Sequence, residues 1–318
     1  MRKITIIAPE SFGYLDFLLK ELQSLPETQA VFINYSNIKY TYSSVFDKLL
    51  NLFRKLVLKK NIKDLYKSKV VLNTVKSNGV QDYIIVVRPD KLELETVIAL
   101  KAYAKNYYSF YFDAISNFPE KSSLIPYFDT VFSYEKEDVE KYNLTFITNF
   151  IYDFDSAKFK SSTCKIFNIS SYDERFESLE KMASYFKSKE LDYTILVRKE
   201  KAETSSLVTF IQEYIPLTKV KEYLLEADVL LDIQKENQYG LSFRVFESLG
   251  YKKKLITTNA DIVHYDFYNP NNIAVVDVHN IQIPDAFFKT PYEEIPKDVL
   301  YKYTLAGWIE NVFNLKSV

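Results

Sequence analysis

Arg244 and Glu247 stand three positions apart on one short apolar helix within "NQYGLSFRVFESLGYKKKLITTN" (237–259), bracketed by Gly240 and Gly250, two of only five glycines in 318 residues. The preceding "DVLLDI" reads as a buried strand, "QKENQYG" as the loop at its carboxyl end, and Ser242 as the N-cap of the helix. Gly240 lets the backbone approach a ligand closely, with Leu241 and Ser242 next in the turn, and the free amides of a helix N-terminus hold phosphate. Arg244 adds a charged fork. The carboxylate of Glu247, further along the helix, offers two acceptor oxygens, which is what a pair of ribose hydroxyls needs. Phosphate with ribose means a nucleotide. A plainer reading stays open: Gly240 in an ordinary turn, Gly250 as a C-cap, and the charged pair as an i,i+3 surface contact worth about 0.3 kcal/mol.

A second group lies in "NISSYDERFESLEKM", after the strand "KIFNI". Ser170, Ser171 and Tyr172 occupy a strand-to-helix loop and Arg175 the first turn of the helix, a set able to give a diphosphate hydroxyl and amide donors plus a charge. Helix capping by a serine or Asp173, with Arg175 solvated, explains the same residues. Arg198 follows the next strand in a charge run of the kind that usually lies in a solvated loop, and it ranks behind Arg175. Near the start, Gly13 in "PESFGY" lets the first loop face a ligand, with Glu10 beside it as a general base. Asp113, ending "YYSFYFD", is the other base candidate and Asp90 in "VVRPD" a third, with Arg88 able to meet an anion. His264 and His279 read as structural. Cys164 has no catalytic partner in the sequence, and no spacing of histidine, cysteine or acid predicts a bound metal; the "DFD" at Asp153–Asp155 reads as incidental.

These residues need elements to hold them. "KITIIA", "AVFINY", "DYIIVV", "YYSFYF" and "TVFSY" are near-continuous apolar or aromatic runs separated by segments of helical spacing, which predicts a parallel sheet covered on both faces. The alternation pauses over 151–164 and resumes with "KIFNI", "DYTILV", "DVLLDI", "KLITT" and "IAVVD". Two doubly wound Rossmann-like α/β domains facing across a cleft follow, over 1–155 and 156–300, with a terminal helix over 301–318. The chain length agrees with two cores.

Composition removes several classes. Hydrophobic residues at 47% and charged residues at 26% describe a packed globular chain, and 26 Tyr with 24 Phe supply much of the core. Lys and Arg number 41 against 42 Asp and Glu, so no global field would recruit nucleic acid. One cysteine forms no internal disulfide and fits a reducing cytoplasm. No apolar run is long enough to be a membrane span, and the N-terminus does not read as a signal peptide.

"GLSFRVFESLGYKKKLITTN" resembles the donor-site segment of GT-B glycosyltransferases, in which a glycine, a helix bearing a ribose-binding glutamate and a small-residue turn precede a strand. Closer still is the similarity to bacterial lipopolysaccharide and capsule glycosyltransferases, carried in order by "SFGY", "YFDTVFSYEKEDVEKYNLTF", "VLLDIQKENQYGLSFRVFESLGYKKKLITTNADIVHYDFYNPNNI" and "PYEEIPKDVLYKYTLAGWIENVF". The resemblance implies metal-independent sugar transfer, without a cofactor, from a nucleotide-sugar bound by the domain over 156–300 to a cell-surface glycan or lipid-linked glycan bound by the domain over 1–155, with Trp308 and Phe313 of the terminal helix docked back on the first domain. It makes Glu247 the ribose ligand. Many retaining relatives carry a second glutamate eight positions earlier; this chain has Tyr239 there, with Glu236 out of register, which leaves the sugar and the stereochemical outcome open. A nucleotide-sugar epimerase of the same fold, or a binding protein without turnover, are the competing expectations.

One charge cluster stands apart. Within 51–69, "NLFRKLVLKKNIKDLYKSK", Arg54, Lys55, Lys59, Lys60, Lys63, Lys67 and Lys69 face only Asp64, interleaved with Leu, Phe, Val and Ile. A basic amphipathic helix of this kind lies on anionic lipid, making the protein peripheral at the inner face of the cell membrane; an ordinary solvated helix face is the alternative.

Overall fold

Ile4, Ile6 and Ile7 are wholly buried in β1 (Arg2–Ala8), as a strand that is apolar on both faces requires. The computed structural model describes residues 1–58, 60–155, 164–201, 203–236 and 238–316, so Lys59 and Asn237 lie outside the described residues. The chain divides into two units, Met1–Ile147 joined by the chain end from Val312 onward, and Thr148–Asn311.

In the first unit β1 is followed by α1 (Tyr14–Ser24), β2 (Thr28–Asn34), α2 (Val45–Val57), α3 (Ile62–Asn78), β3 (Gln81–Val87), α4 (Leu94–Leu100), β4 (Ala104–Tyr111), β5 (Thr130–Ser133), α5 (Lys136–Tyr142) and β6 (Thr145–Phe146). The sheet runs β2-β1-β3-β4-β5-β6 with every pairing parallel. The chain goes from β1 to β2 on one side and then crosses to β3 on the other, which puts the topological switch between the carboxyl ends of β1 and β3.

The second unit contains β7 (Lys165–Ser171), α6 (Phe176–Ser188), β8 (Asp192–Arg198), β9 (Thr209–Ile211), α7 (Leu217–Glu226), β10 (Val229–Asp232), α8 (Phe243–Gly250), β11 (Lys254–Thr257), β12 (Ile273–Val275), α9 (Asp285–Lys289), α10 (Lys297–Tyr301) and α11 (Leu305–Phe313). Its order is β12-β11-β10-β7-β8-β9, again all parallel, so the switch lies between β7 and β10. Both sheets are the doubly wound α/β kind expected. The three-residue β9 was not anticipated, being too short to show a pattern.

Three placements differ from expectation. The boundary falls at 147/148 rather than 155/156, because Ile151 bridges to Thr304 and Tyr152 bonds to α8; residues 156–163 of the expected connection lie outside the described residues. Phe313 does return to the first unit, where its ring meets Tyr83 at 5.3 Å and its carbonyl accepts from the Tyr83 hydroxyl. Trp308 belongs to the second unit, where its indole N–H donates to the Thr148 carbonyl and its ring packs on Phe150. The basic segment 51–69 is two helices, α2 and α3, because Asn61 starts a new one by accepting from the Lys63 amide. Among the described residues no helix is long and apolar enough to cross a membrane.

Candidate functional site

The two ends of the donor-like segment are built by close packing. Gly250 ends α8 where a Cβ would stand 2.4 Å from the Asp153 carbonyl oxygen and 2.6 Å from the Ile151 side chain. Only glycine lets the segment Ile151–Asp153 lie against the helix, which is a stronger requirement than the C-cap read from sequence. At the other end Ser242 caps α8 by accepting from the Arg244 amide, and its hydroxyl donates to Asp232 at 2.8 Å. Asp232, buried at the end of β10, also accepts from Thr257 on the neighbouring strand. Sequence reading missed this carboxylate, although an acid closing an apolar strand was visible in "DVLLDI". Gly240 and Leu241 are buried in the turn before the cap.

Glu247 is buried within the second unit. It is 2% exposed, its Oε1 accepts from the Tyr152 hydroxyl at 2.6 Å, and its Oε2 lies 2.5 Å from the Arg244 guanidinium. This corrects the reading of the pair as a surface contact: Tyr152 and Arg244 close over the carboxylate inside the second unit. Arg244 lies 5.6 Å from the Phe167 ring.

Arg175, following β7, and Arg198, ending β8, are held differently. Arg175 closes a bidentate contact on Asp173, with bonds of 2.9 and 2.6 Å, and reaches the Ile233 carbonyl at the end of β10. Burial works against the charge on both partners, but their hydrogen bonds and mutual attraction outweigh it, holding Asp173 below the usual carboxylate range and Arg175 above its own. Arg175 is thus a strut tying the two loops of the switch together. Arg198 ends β8, in register with Ser171 on β7. Its Nε is buried and has no hydrogen-bond partner among the described residues, it pairs at 3.7 Å with the highly exposed Glu200, and its guanidinium stacks on Tyr214 at 3.8 Å. Ser170 and Ser171 end the strand between these arginines; the Ser170 hydroxyl donates to Asn168, and the Tyr172 amide is used by the Arg198 carbonyl. Tyr172 is half exposed and carries Lys199 over its ring.

The first unit brings Glu10 to its own switch. The Glu10 carboxylate accepts from Asn34 at 2.6 Å and its amide bonds to Ser36, while Gly13, at φ 87°, starts α1 in a backbone conformation that favours glycine. Asp90, the third base candidate, is removed by burial: its side chain has no exposure and Arg88 holds it in a bidentate contact. Arg88 adopts a left-handed backbone, stacks on Phe118 at 3.7 Å, and reaches Asp113 at 3.6 Å. Lys121 is buried beside them and donates to the Asp113 carbonyl. Burial pushes its ammonium down to about 8, against the pull of Asp113 and Asp90.

That amine makes a pH prediction. A group held near 8 when folded and at its ordinary 10.5 when unfolded gives stability that is complete above 10.5 and lost as pH falls through about 8. Urea midpoints should therefore rise from pH 8 to 10, by about 1 kcal/mol per unit for this group, and Lys121→Met should remove that rise. Identical slopes in the two proteins would refute it.

No family model and no curated protein matches the chain. Solved structures do. An α-glucosyltransferase in complex with UDP and a 13-mer DNA containing a central A:G mismatch superposes with a TM-score of 0.60 over 99% of both chains, at 9% identity. The OtsA apo structure covers 100% of both chains at 0.58 and 10% identity. A UDP-N-acetylglucosamine 2-epimerase covers 100% of this chain and 98% of its own at 0.54 and 11% identity. The chain has the GT-B fold. In this GT-B chain the carboxyl ends of the second sheet carry Ser170, Ser171 and Arg198, with Arg175 and Asp232 bracing the loops and Glu247 buried. The remaining sequence candidates have structural work. Asp153 and Asp155 pair with Lys221, and Asp153 also accepts from the Tyr251 hydroxyl. Burial pushes the Cys164 thiol up to about 11, which keeps it a poor nucleophile.

Proposed function

We propose that the chain is a glycosyltransferase that moves a sugar, in the cytoplasm and without a metal or cofactor, from a nucleotide-sugar to a cell-surface glycan such as lipopolysaccharide, O-antigen or capsule. The observation that carries this reading is the buried Nε of Arg198, without a hydrogen-bond partner among the described residues, beside Ser171 at the carboxyl end of the second sheet. A buried donor without an acceptor costs free energy, and the diphosphate of a nucleotide-sugar supplies the missing oxygens and a charge. As the bond from the sugar carbon to the diphosphate oxygen breaks, negative charge grows on the leaving oxygens, where a preorganised guanidinium and hydroxyls stabilise it most.

The attacking acceptor hydroxyl must lose a proton. We assign that role to Glu10, because the Asp113 carboxylate already faces the Arg88 guanidinium at 3.6 Å. Asp113 then serves to orient the acceptor. The likeness to the epimerase favours a second reading, isomerisation of the donor without an acceptor.

A thermal-shift screen against UDP, GDP, CMP and their sugar conjugates tests the donor site. One base should stabilise the protein by about 2.7 kcal/mol at a hundred times its dissociation constant. If none raises the midpoint, the reading is wrong. Appearance of an isomer from donor alone would replace transfer by epimerisation.

A further inference from the structure

Helix α2 is inside out. On a wheel of 100° per residue, Val45, Phe46, Leu49, Leu50, Leu52, Phe53, Leu56 and Val57 fill one continuous arc, and Asp47, Lys48, Asn51, Arg54 and Lys55 fill the other. A helix of a soluble domain turns its apolar arc to the core. Here the only buried residue is Asn51, and the apolar arc is exposed, from 37% at Leu50 to 74% at Phe46 and Leu56. The polar arc is the anchor. Asn51 donates to the Tyr42 hydroxyl and Asn61 and accepts from the Ile62 amide, while Asp47 accepts from the Tyr40 hydroxyl and the Ser43 amide. Helix α3, which follows, is ordinary by comparison, with Ser68, Val71 and Val75 buried.

We propose that the outer arc of α2 inserts into the interfacial layer of an anionic phospholipid bilayer. The charges select this occupant. Lys48 and Arg54 border the apolar arc, with Lys55 next to Lys48, where their ammonium and guanidinium groups would meet lipid phosphates once the arc is submerged, and Lys63 lies at the start of α3 just beyond, while Lys60 is paired with Glu93 and Glu95. The one acid on the helix, Asp47, is occupied by Tyr40 and Ser43. Size argues against a second copy of the chain. Thirteen residues make a helix about 20 Å long and about 10 Å wide, so one face offers a few hundred Å2 at most, short of the roughly 800 Å2 per partner in a stable interface. The proposal stands independently of sugar transfer, and it narrows the basic segment read from sequence to α2 and its flanks.

The test uses the full chain and vesicles of phosphatidylcholine alone or mixed with phosphatidylglycerol. Co-sedimentation should be strong only with the anionic lipid and should weaken with salt. Arg54→Gln with Lys55→Gln should weaken partitioning roughly thirtyfold, and Phe46→Ser with Leu56→Ser roughly a hundredfold. All four positions lie on the outer helix, so far-UV circular dichroism should be unchanged. Phe53→Trp should show blue-shifted emission on adding anionic vesicles and none with neutral ones. The proposal is overturned by absent or lipid-independent partitioning. Sedimentation showing a dimer that Phe46→Ser with Leu56→Ser dissolves, without vesicle binding, would assign the face to self-association instead.

Discussion

Glu247→Ala should destabilise the second unit by about 3–5 kcal/mol, the cost of leaving one member of a buried ion pair without its partner. The substitution strands the Arg244 guanidinium, whose side chain is 11% exposed, and removes the acceptor of the Tyr152 hydroxyl. Trp308, the single tryptophan, reports on the loss directly: its ring packs on Phe150, which in turn packs on Phe243 of α8. Urea unfolding followed by its fluorescence gives the difference. Replacing both charges, Arg244→Met with Glu247→Leu, should recover most of the stability, since a buried pair often costs as much to desolvate as it returns. A loss under about 1 kcal/mol together with a tenfold fall in donor affinity would support the ribose role that the sequence suggested.

Arg198→Ala should behave in the opposite way, lowering donor-dependent turnover by about a hundredfold to a thousandfold while changing stability little. The ion pair it loses, to exposed Glu200 at 3.7 Å, is of the kind that contributes less than about 1 kcal/mol, and the buried Nε has no bond to lose. Arg198→Lys keeps the charge but not the planar fork, and should recover only part of the activity. Arg175→Ala is the control. It removes the strut between Asp173 and Ile233, so its effect should appear first as a lower unfolding midpoint. Full turnover in Arg198→Ala would sink the assignment.

The residues whose surroundings the sequence left open share a cause. Arg175 and Arg198 each follow a strand, and nothing in "SSYDER" or "LVRKE" says which guanidinium is consumed locally. That depends on the loop geometry that lets Asp173 turn back on Arg175. Gly250 was visibly special, but its requirement comes from the Asp153 carbonyl, about a hundred positions earlier in the chain. For α2 the apolar arc could be counted from the sequence; that it faces outward could not, because a wheel has no inside until a neighbour is packed against it. Lys121 gave no signal at all among so many lysines.

The alternation of apolar strands and helices is a property of neighbouring residues, since backbone periodicity and side-chain burial act over a few positions. It therefore determined the two parallel sheets, most of their strands and the loops able to hold a ligand. Strand order, and with it the partners of each buried charge, was decided only in three dimensions. Tyr152 and Glu247 meet across 95 positions of chain, and Ser242 meets Asp232 because β10 ends beneath the helix it caps. Burial makes such pairings strong by excluding water, and only the assembled tertiary structure determines which groups are buried together.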